Sequence, residues 1–152
     1  MGLLNGQICI VTGAGQGLGR AIALEICREG ATTALIDRNP KTLAQVADEI
    51  AQGGGRCSTH AFDVTDYDAY ARTVAEVHAR HGRIDVLVNN AGINPATKTI
   101  LDDTLEEWRR TIAINLEAVY MGSKLVAPIM AAQHSGRIIH ISSIQGFASS
   151  GL

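Results

Sequence analysis

Five short apolar runs alternate with stretches of helical periodicity: QICIVTG at 7–13, TTALID at 32–37, CSTHAFDV at 57–64, IDVLVNNAG at 84–92 and GRIIHISS at 136–143. This alternation restricts the fold more than any other feature. Strands that each return through a helix to a neighbour running the same way build a parallel sheet, and such a sheet must be covered on both faces. The expected class is α/β, with helices on either side of one sheet. At 152 residues with 46% hydrophobic side chains, the chain suffices for one domain with a sizeable core. No repeat, low-complexity tract or linker divides it, so residues 1–152 read as a single domain.

The helices are marked by their ends. Leu18, Ile22 and Ile26 form an apolar stripe in a helix from about 17 to 29 that Gly30 stops. Asn39 and Pro40 are an N-cap and first-turn proline for a second helix, which the glycines at 53–55 terminate. Thr65 or Asp66 caps a third, with Tyr70, Val74 and Val77 facing inward. Thr104 and Glu107 have capping-box spacing ahead of a long helix to Gln133, and Pro128 is placed to bend its last turns. GINPATKTILDD at 92–103 is the longest irregular connection. It follows the carboxyl end of a strand, where open α/β sheets place ligands, and reads as a substrate-side loop.

A formal net charge of −2 gives no electrostatic reason to bind nucleic acid or an anionic membrane. Cys9, Cys27 and Cys57 are odd in number and widely spaced, which suggests neither a disulfide framework nor a zinc site. His78 and His81 stand three apart without a third ligand and read as solvated, so no metal is expected. No apolar run approaches the ~20 residues that span a bilayer. The first residues lack a basic region ahead of a cleavable apolar stretch, and Gly6 stands where a myristoylation signal wants Ser or Thr. A cytoplasmic location is the expectation.

VTGAGQGLGR places Gly13, Gly15, Gly17 and Gly19 between the first strand and the first helix. The spacing G-x-G-x-x-G fails, because Leu18 stands where the third glycine belongs; T-G-x-x-x-G-x-G fits from Thr12 to Gly19. Glycines allow a tight turn and close backbone approach, and the free N–H groups and dipole of the helix favour a diphosphate. Glycine-rich turns also serve packing alone, so the acid that follows matters. Asp37 ends the second strand, where a carboxylate accepts hydrogen bonds from both ribose hydroxyls of an adenosine and repels a 2′-phosphate. NAD is therefore favoured over NADP. Arg38 could meet that phosphate, but after Asp37 it reads as a neighbour of the adenine face.

With TGAGQGLG, then DV at 63–64, NNAG at 89–92, Asn115 and ISS at 141–143, in this order, the chain resembles the short-chain dehydrogenase/reductase family over essentially its whole length. The resemblance implies a Rossmann-type doubly wound sheet of order 3-2-1-4-5 in three layers, lacking the family's C-terminal strands. It implies a nicotinamide cofactor cradled by Gly13, Gln16, Gly17, Leu18 and Gly19, with Asp37 and Arg38 at its adenosine end. Asp63 is expected to bind the adenine amino group, with Val64 beside the ring; the alternative for Asp63 is a cap on the next helix. Asn90, Ala91 and Gly92 are expected to line the cofactor's ribose, and Asn89 to brace the sheet. Asn115 corresponds to the residue that perturbs the long helix and holds a water in a proton relay. Ser143 corresponds to the serine that hydrogen-bonds the substrate oxygen.

Tyr120 and Lys124 stand four apart, as the family's catalytic tyrosine and lysine do, but on the helix of Asn115 and ahead of Ser143. They read as a partly buried tyrosine beside a snorkelling lysine. The family's own pair would fall past Leu152, so this chain is expected to be truncated and inactive or incomplete, with its last strand left as an apolar edge. The implied activity is hydride transfer between nicotinamide and an alcohol or ketone, like that of a 3-oxoacyl reductase or of a sugar or small-alcohol dehydrogenase, in a homo-oligomer such as the tetramers of full-length relatives. The alternative is a non-catalytic dinucleotide-binding module that assembles through that edge.

Overall fold

The computed structural model describes residues 2–94 and 101–143. Residues 95–100 of the expected substrate-side loop, and the run from 144 to 152, lie outside the described residues. Five parallel strands, β1 (Ile8–Thr12), β2 (Thr32–Asp37), β3 (Arg56–Ala61), β4 (Val86–Asn89) and β5 (Arg137–His140), form one sheet in the order β3-β2-β1-β4-β5. This is the doubly wound Rossmann arrangement. The strands are shorter than the apolar runs. At 62–64, for instance, the apolar Phe62 and Val64 pack from a turn and not from β3.

Helices α1 (Gly17–Arg28) and α2 (Pro40–Gln52) cover one face, and α3 (Tyr67–His81) covers the other together with the long 105–132 helix. Every residue of β1 is buried, because its side chains alternate between the two faces. Ile8 and Ile10 pack with Tyr70, Val74 and Val77 of α3, all inward as expected, and with Ile114, Ala118 and Val126. Cys9 and Val11 pack with Ala23 and Cys27 of α1 and with Leu43, Val46 and Ile50 of α2. Each fully buried Leu or Ile side chain here contributes about 1.5–3 kcal/mol through area removed from water.

The buried stripe of α1 differs from the one expected. It is Gly19, Ala23 and Cys27, with Ile22 and Ile26 flanking and Leu18 exposed. Small residues let the helix approach the sheet closely: a Cβ on Gly19 would collide with the carbonyl oxygen of Gly13. The caps of α2 and α3 do match the reading. Asn39 Oδ1 accepts from the Lys41 and Thr42 amides, Pro40 opens α2, and Asp66 caps α3 through the Ala69 amide.

The long helix is α4 (Leu105–Ile112), a π-helical segment at Ala113–Glu117 and α5 (Ala118–Ala132) in succession. Thr104 and Glu107 form the capping box, and Pro128 lies inside α5 without ending it. The whole stretch Leu105–Ala132 reaches mean hydropathy 1.2 over its most apolar window, so by length and composition it could cross a bilayer, contrary to the expectation from single apolar runs. Here it lies on the sheet through Ile114, Ala118, Val126 and Met130. Gly122 marks its closest approach: a Cβ there would run into the hydroxyl of Tyr70 and stand 3.0 Å from Asn89 Oδ1.

Candidate functional site

The site forms at the carboxyl ends of β1, β2 and β4. Gly13 leaves β1 with φ +64, and a Cβ on it would lie 2.9 Å from Ala91 Cα, so the glycine turn and the NNAG turn touch only because that side chain is missing. Thr12 joins the two turns chemically. Its buried hydroxyl accepts the Asn90 and Ala91 amides, each at 3.0 Å, and donates to Val88 O at 3.4 Å. The Asn90 side chain completes the staple by donating to Thr12 O at 2.9 Å and Gly13 O at 3.3 Å. Asn89, buried beside it, bridges to Ser123 Oγ of α5 and His140 Nδ1 of β5, which is the bracing role expected of it.

Helix α1 begins at Gly17 behind Gln16, whose extended backbone supplies the N-cap position but whose side chain makes no capping bond. The first-turn amides and the positive end of the helix dipole therefore have no internal anion, which suits a diphosphate. Asp37 closes the adenosine end. Its Oδ2 accepts the Gly15 amide at 3.0 Å and its Oδ1 the Asn39 amide at 3.0 Å, so one carboxylate is held in place by the glycine turn and by the start of α2.

These elements enclose a cleft of about 290 Å³. The glycine turn lines it through Gly13, Gln16, Gly17, Leu18 and Gly19. Asp37, Arg38 and Val64 line the adenosine end, and Asn90, Ala91 and Gly92 the far wall. Asp63 is the expected cofactor contact that does not line it. Its Oδ1 accepts the amide and hydroxyl of Thr65, at 3.1 and 2.8 Å, in a local turn, while Asp66 performs the capping. Partial burial pushes the Asp63 pKa up, but the Thr65 bonds and the charges of Arg110 and Arg38 outweigh it and hold the carboxyl below its usual range.

Ile93 and Ile114 also line the cleft, and the sequence reading did not single them out. The signal was adjacency: Ile93 follows NNAG, and Ile114 precedes Asn115. Asn115 lies in the π-helical segment, so the helix is perturbed where expected. Its side chain accepts the Ile93 amide at 2.9 Å and donates to the Ile93 carbonyl at 2.8 Å, fixing the chain at the mouth of the cleft. Ser143 stands exposed just beyond β5, outside the residues that line the cleft. Tyr120 is 63% exposed, not partly buried, and Lys124 Nζ lies 5.7 Å from its ring centroid on the outer surface of α5.

A parallel 3-2-1-4-5 sheet with flanking helices, a glycine turn, a strand-end acid and an NNAG staple around one cleft defines a Rossmann-like α/β protein. Residues 7–151 match the family model for short chain dehydrogenases, and the chain belongs to that family. It is 36% identical over 143 residues to the 3-oxoacyl-acyl-carrier-protein reductase FabG of Thermotoga maritima, covering 94% of this chain and 58% of the relative. It is 37% identical over 146 residues to cyclopentanol dehydrogenase of Comamonas sp., covering 96% and 58%. Among solved structures it resembles a metagenomic short-chain oxidoreductase in complex with NADP, with a TM-score of 0.92 at 40% identity, covering 97% of this chain and 67% of that one. NAD+-bound xylitol dehydrogenase gives a TM-score of 0.92 at 33% identity, covering 97% and 56%. The chain thus spans about 58% of the length of the first curated relatives it matches.

Proposed function

We propose that this chain is the cofactor-binding part of an NAD-dependent oxidoreductase that transfers a hydride between nicotinamide and an alcohol or ketone. The observation that carries the reading is the joint placement of the uncapped α1 terminus and Asp37 in one cleft, coupled through the Gly15 amide. The residues present fit a dinucleotide. Amides of the glycine turn receive the diphosphate, and Asp37 accepts the ribose hydroxyls. Leu18, Val64, Ile93 and Ile114 give the cleft apolar walls. When bound, the nicotinamide ring supplies or accepts the hydride.

Asp37 disfavours a 2′-phosphate, which supports NAD over NADP; Arg38 lines the same cleft and is read as a neighbour of the adenine face. In this reading Ser143 holds the substrate oxygen, Asn115 sets the proton relay, and Asp63 approaches the adenine. No tyrosine or lysine stands between Ser143 and Leu152, and Tyr120 faces outward. Lack of a general acid/base typically costs 10²–10⁴-fold, so these 152 residues alone bind cofactor and turn over little. The substrate class is a small alcohol or ketone, as with the cyclopentanol and xylitol dehydrogenases. The location is cytoplasmic, with neither nucleic acid nor membrane as partner.

NADH fluorescence titration tests this. NADH binds more tightly than NADPH, and Asp37→Ala weakens NADH about tenfold or more, as expected for losing hydrogen bonds to a charged acceptor. Unchanged affinity in that variant overturns the reading, and tighter NADPH binding overturns the cofactor preference alone. A second reading, a non-catalytic module that pairs through its sheet edge, is favoured by the outer position of β5 and the exposure of Ile139 and Ile141. In both readings the partner is another copy of the chain.

A further inference from the structure

Edge strand β3 carries a second group of reactive side chains, outside the cofactor cleft. Ser58 and His60 share one face of the strand by its two-residue period. Ser58 Oγ lies 3.0 Å from His60 Nε2, and the other ring nitrogen, Nδ1, lies 3.9 Å from Glu76 Oε2 on α3. The second distance is long for a hydrogen bond. However, the Glu76 side chain is 69% exposed and that of His60 only 16%, so a mobile carboxylate can close on a held ring.

Hydroxyl, imidazole and carboxylate in this order are the parts that activate a serine: the imidazole takes the hydroxyl proton, and the carboxylate orients the ring and selects its tautomer. Burial lowers the His60 pKa and Arg80 adds to that, against the opposing pull of Glu76, so the ring is uncharged near neutral pH and able to accept a proton. The strand edge supplies a further part. The Phe62 amide donates to Asp37 O across the β2 pairing, so alternation puts the Ser58 and His60 amides on the β2 side and turns the Thr59 amide outward. The amide following the nucleophile is thereby a donor for a developing oxyanion.

We propose that Ser58 is an acyl-accepting nucleophile toward small activated esters reaching the open edge of β3, with His60 as its general base and Glu76 as a positioning residue. Ser58 Oγ bonds to the acyl carbon as the bond to the leaving oxygen breaks. The hydroxyl proton passes to His60 Nε2 and on to the leaving oxygen, so the products are an acylated Ser58 and a free alcohol. Nothing is oxidised or reduced.

The test is treatment of the 152-residue chain with p-nitrophenyl acetate, mapping acetylation by peptide mass spectrometry. Ser58 is acetylated about 100-fold faster in folded than in urea-unfolded protein, His60→Gln removes about that factor, and Ser58→Ala abolishes the signal. Circular dichroism confirms that the variants fold, and the comparison of folded with unfolded wild type decides the matter without them. The charged groups facing His60 are Glu76 and Arg80 of α3, while β2 presents Ile36 opposite it. Glu76→Gln accordingly moves the pH midpoint of acetylation downward, which a purely structural Glu76 would not do. Equal Ser58 acetylation in folded and unfolded protein, an unchanged rate in His60→Gln, or an unmoved midpoint in Glu76→Gln overturns the proposal and leaves an ordinary satisfied hydrogen bond.

Discussion

Thr12 supports more of the cleft than its place at the head of a glycine motif indicates. Its hydroxyl is the acceptor for two amides of the NNAG turn. Thr12→Val keeps the shape and removes the acceptor, stranding donors at about 1–3 kcal/mol each. Urea denaturation is expected to show a loss of roughly 2–6 kcal/mol, with dinucleotide affinity falling in parallel; Thr12→Ser retains most of both. Asp85 gives a pH test. Its buried carboxylate accepts the Ile8 amide at 2.8 Å and pairs with Arg83. Burial raises its pKa, but the Arg83 hydrogen bond, the Ile8 amide and the Arg83 charge outweigh it, so the folded value lies below the ordinary 3.8. Its contribution to stability is thus complete above the ordinary value and is lost as pH falls through the folded one. Unfolding measured across the acid range is expected to show a shallower loss in Asp85→Asn than in wild type.

At the scale of elements, the π-helical turn is the irregular part of the long helix and the part of it that reaches the cleft. Asn115 spends both side-chain groups on Ile93. Asn115→Ala is expected to speed hydrogen exchange at the Ile93 amide by about tenfold, a loss of about 1.4 kcal/mol of local protection, while amides at the centre of α5 keep theirs. Equal exchange in both proteins contradicts the clamp. The strands and caps were legible in the sequence because β-branched runs and residues such as Asn39, Asp66 and Thr104 act locally. The stripe of α1 was not, because close contact with a sheet selects small side chains over large apolar ones. Nor was the local turn that Asp63 makes with Thr65, because it depends on a few ångströms of backbone path. Ile93 and Ile114 escaped notice because an apolar cleft wall has the composition of a core.

For the whole molecule, the two faces of the sheet are unequally covered by the described residues. On the side of α1, Leu4, Ile26, Val86 and Ile139 line a hollow of about 420 Å³ beside β5, whose outer edge has no strand partner among the described residues. Exposed apolar edges recruit other chains. Sedimentation of the wild-type chain is expected to show concentration-dependent association that Ile139→Lys reduces; a monomer at every concentration argues against pairing at this edge. The gap at Gly122 also reaches beyond its neighbours. An absent methyl there sets the ride height of the long helix above Tyr70, and the same helix carries Ile114 to the wall of the cleft and Asn115 to Ile93 at its mouth. Enlarging position 122 would tune coenzyme affinity from behind the wall, through a lever that the bound molecule never meets.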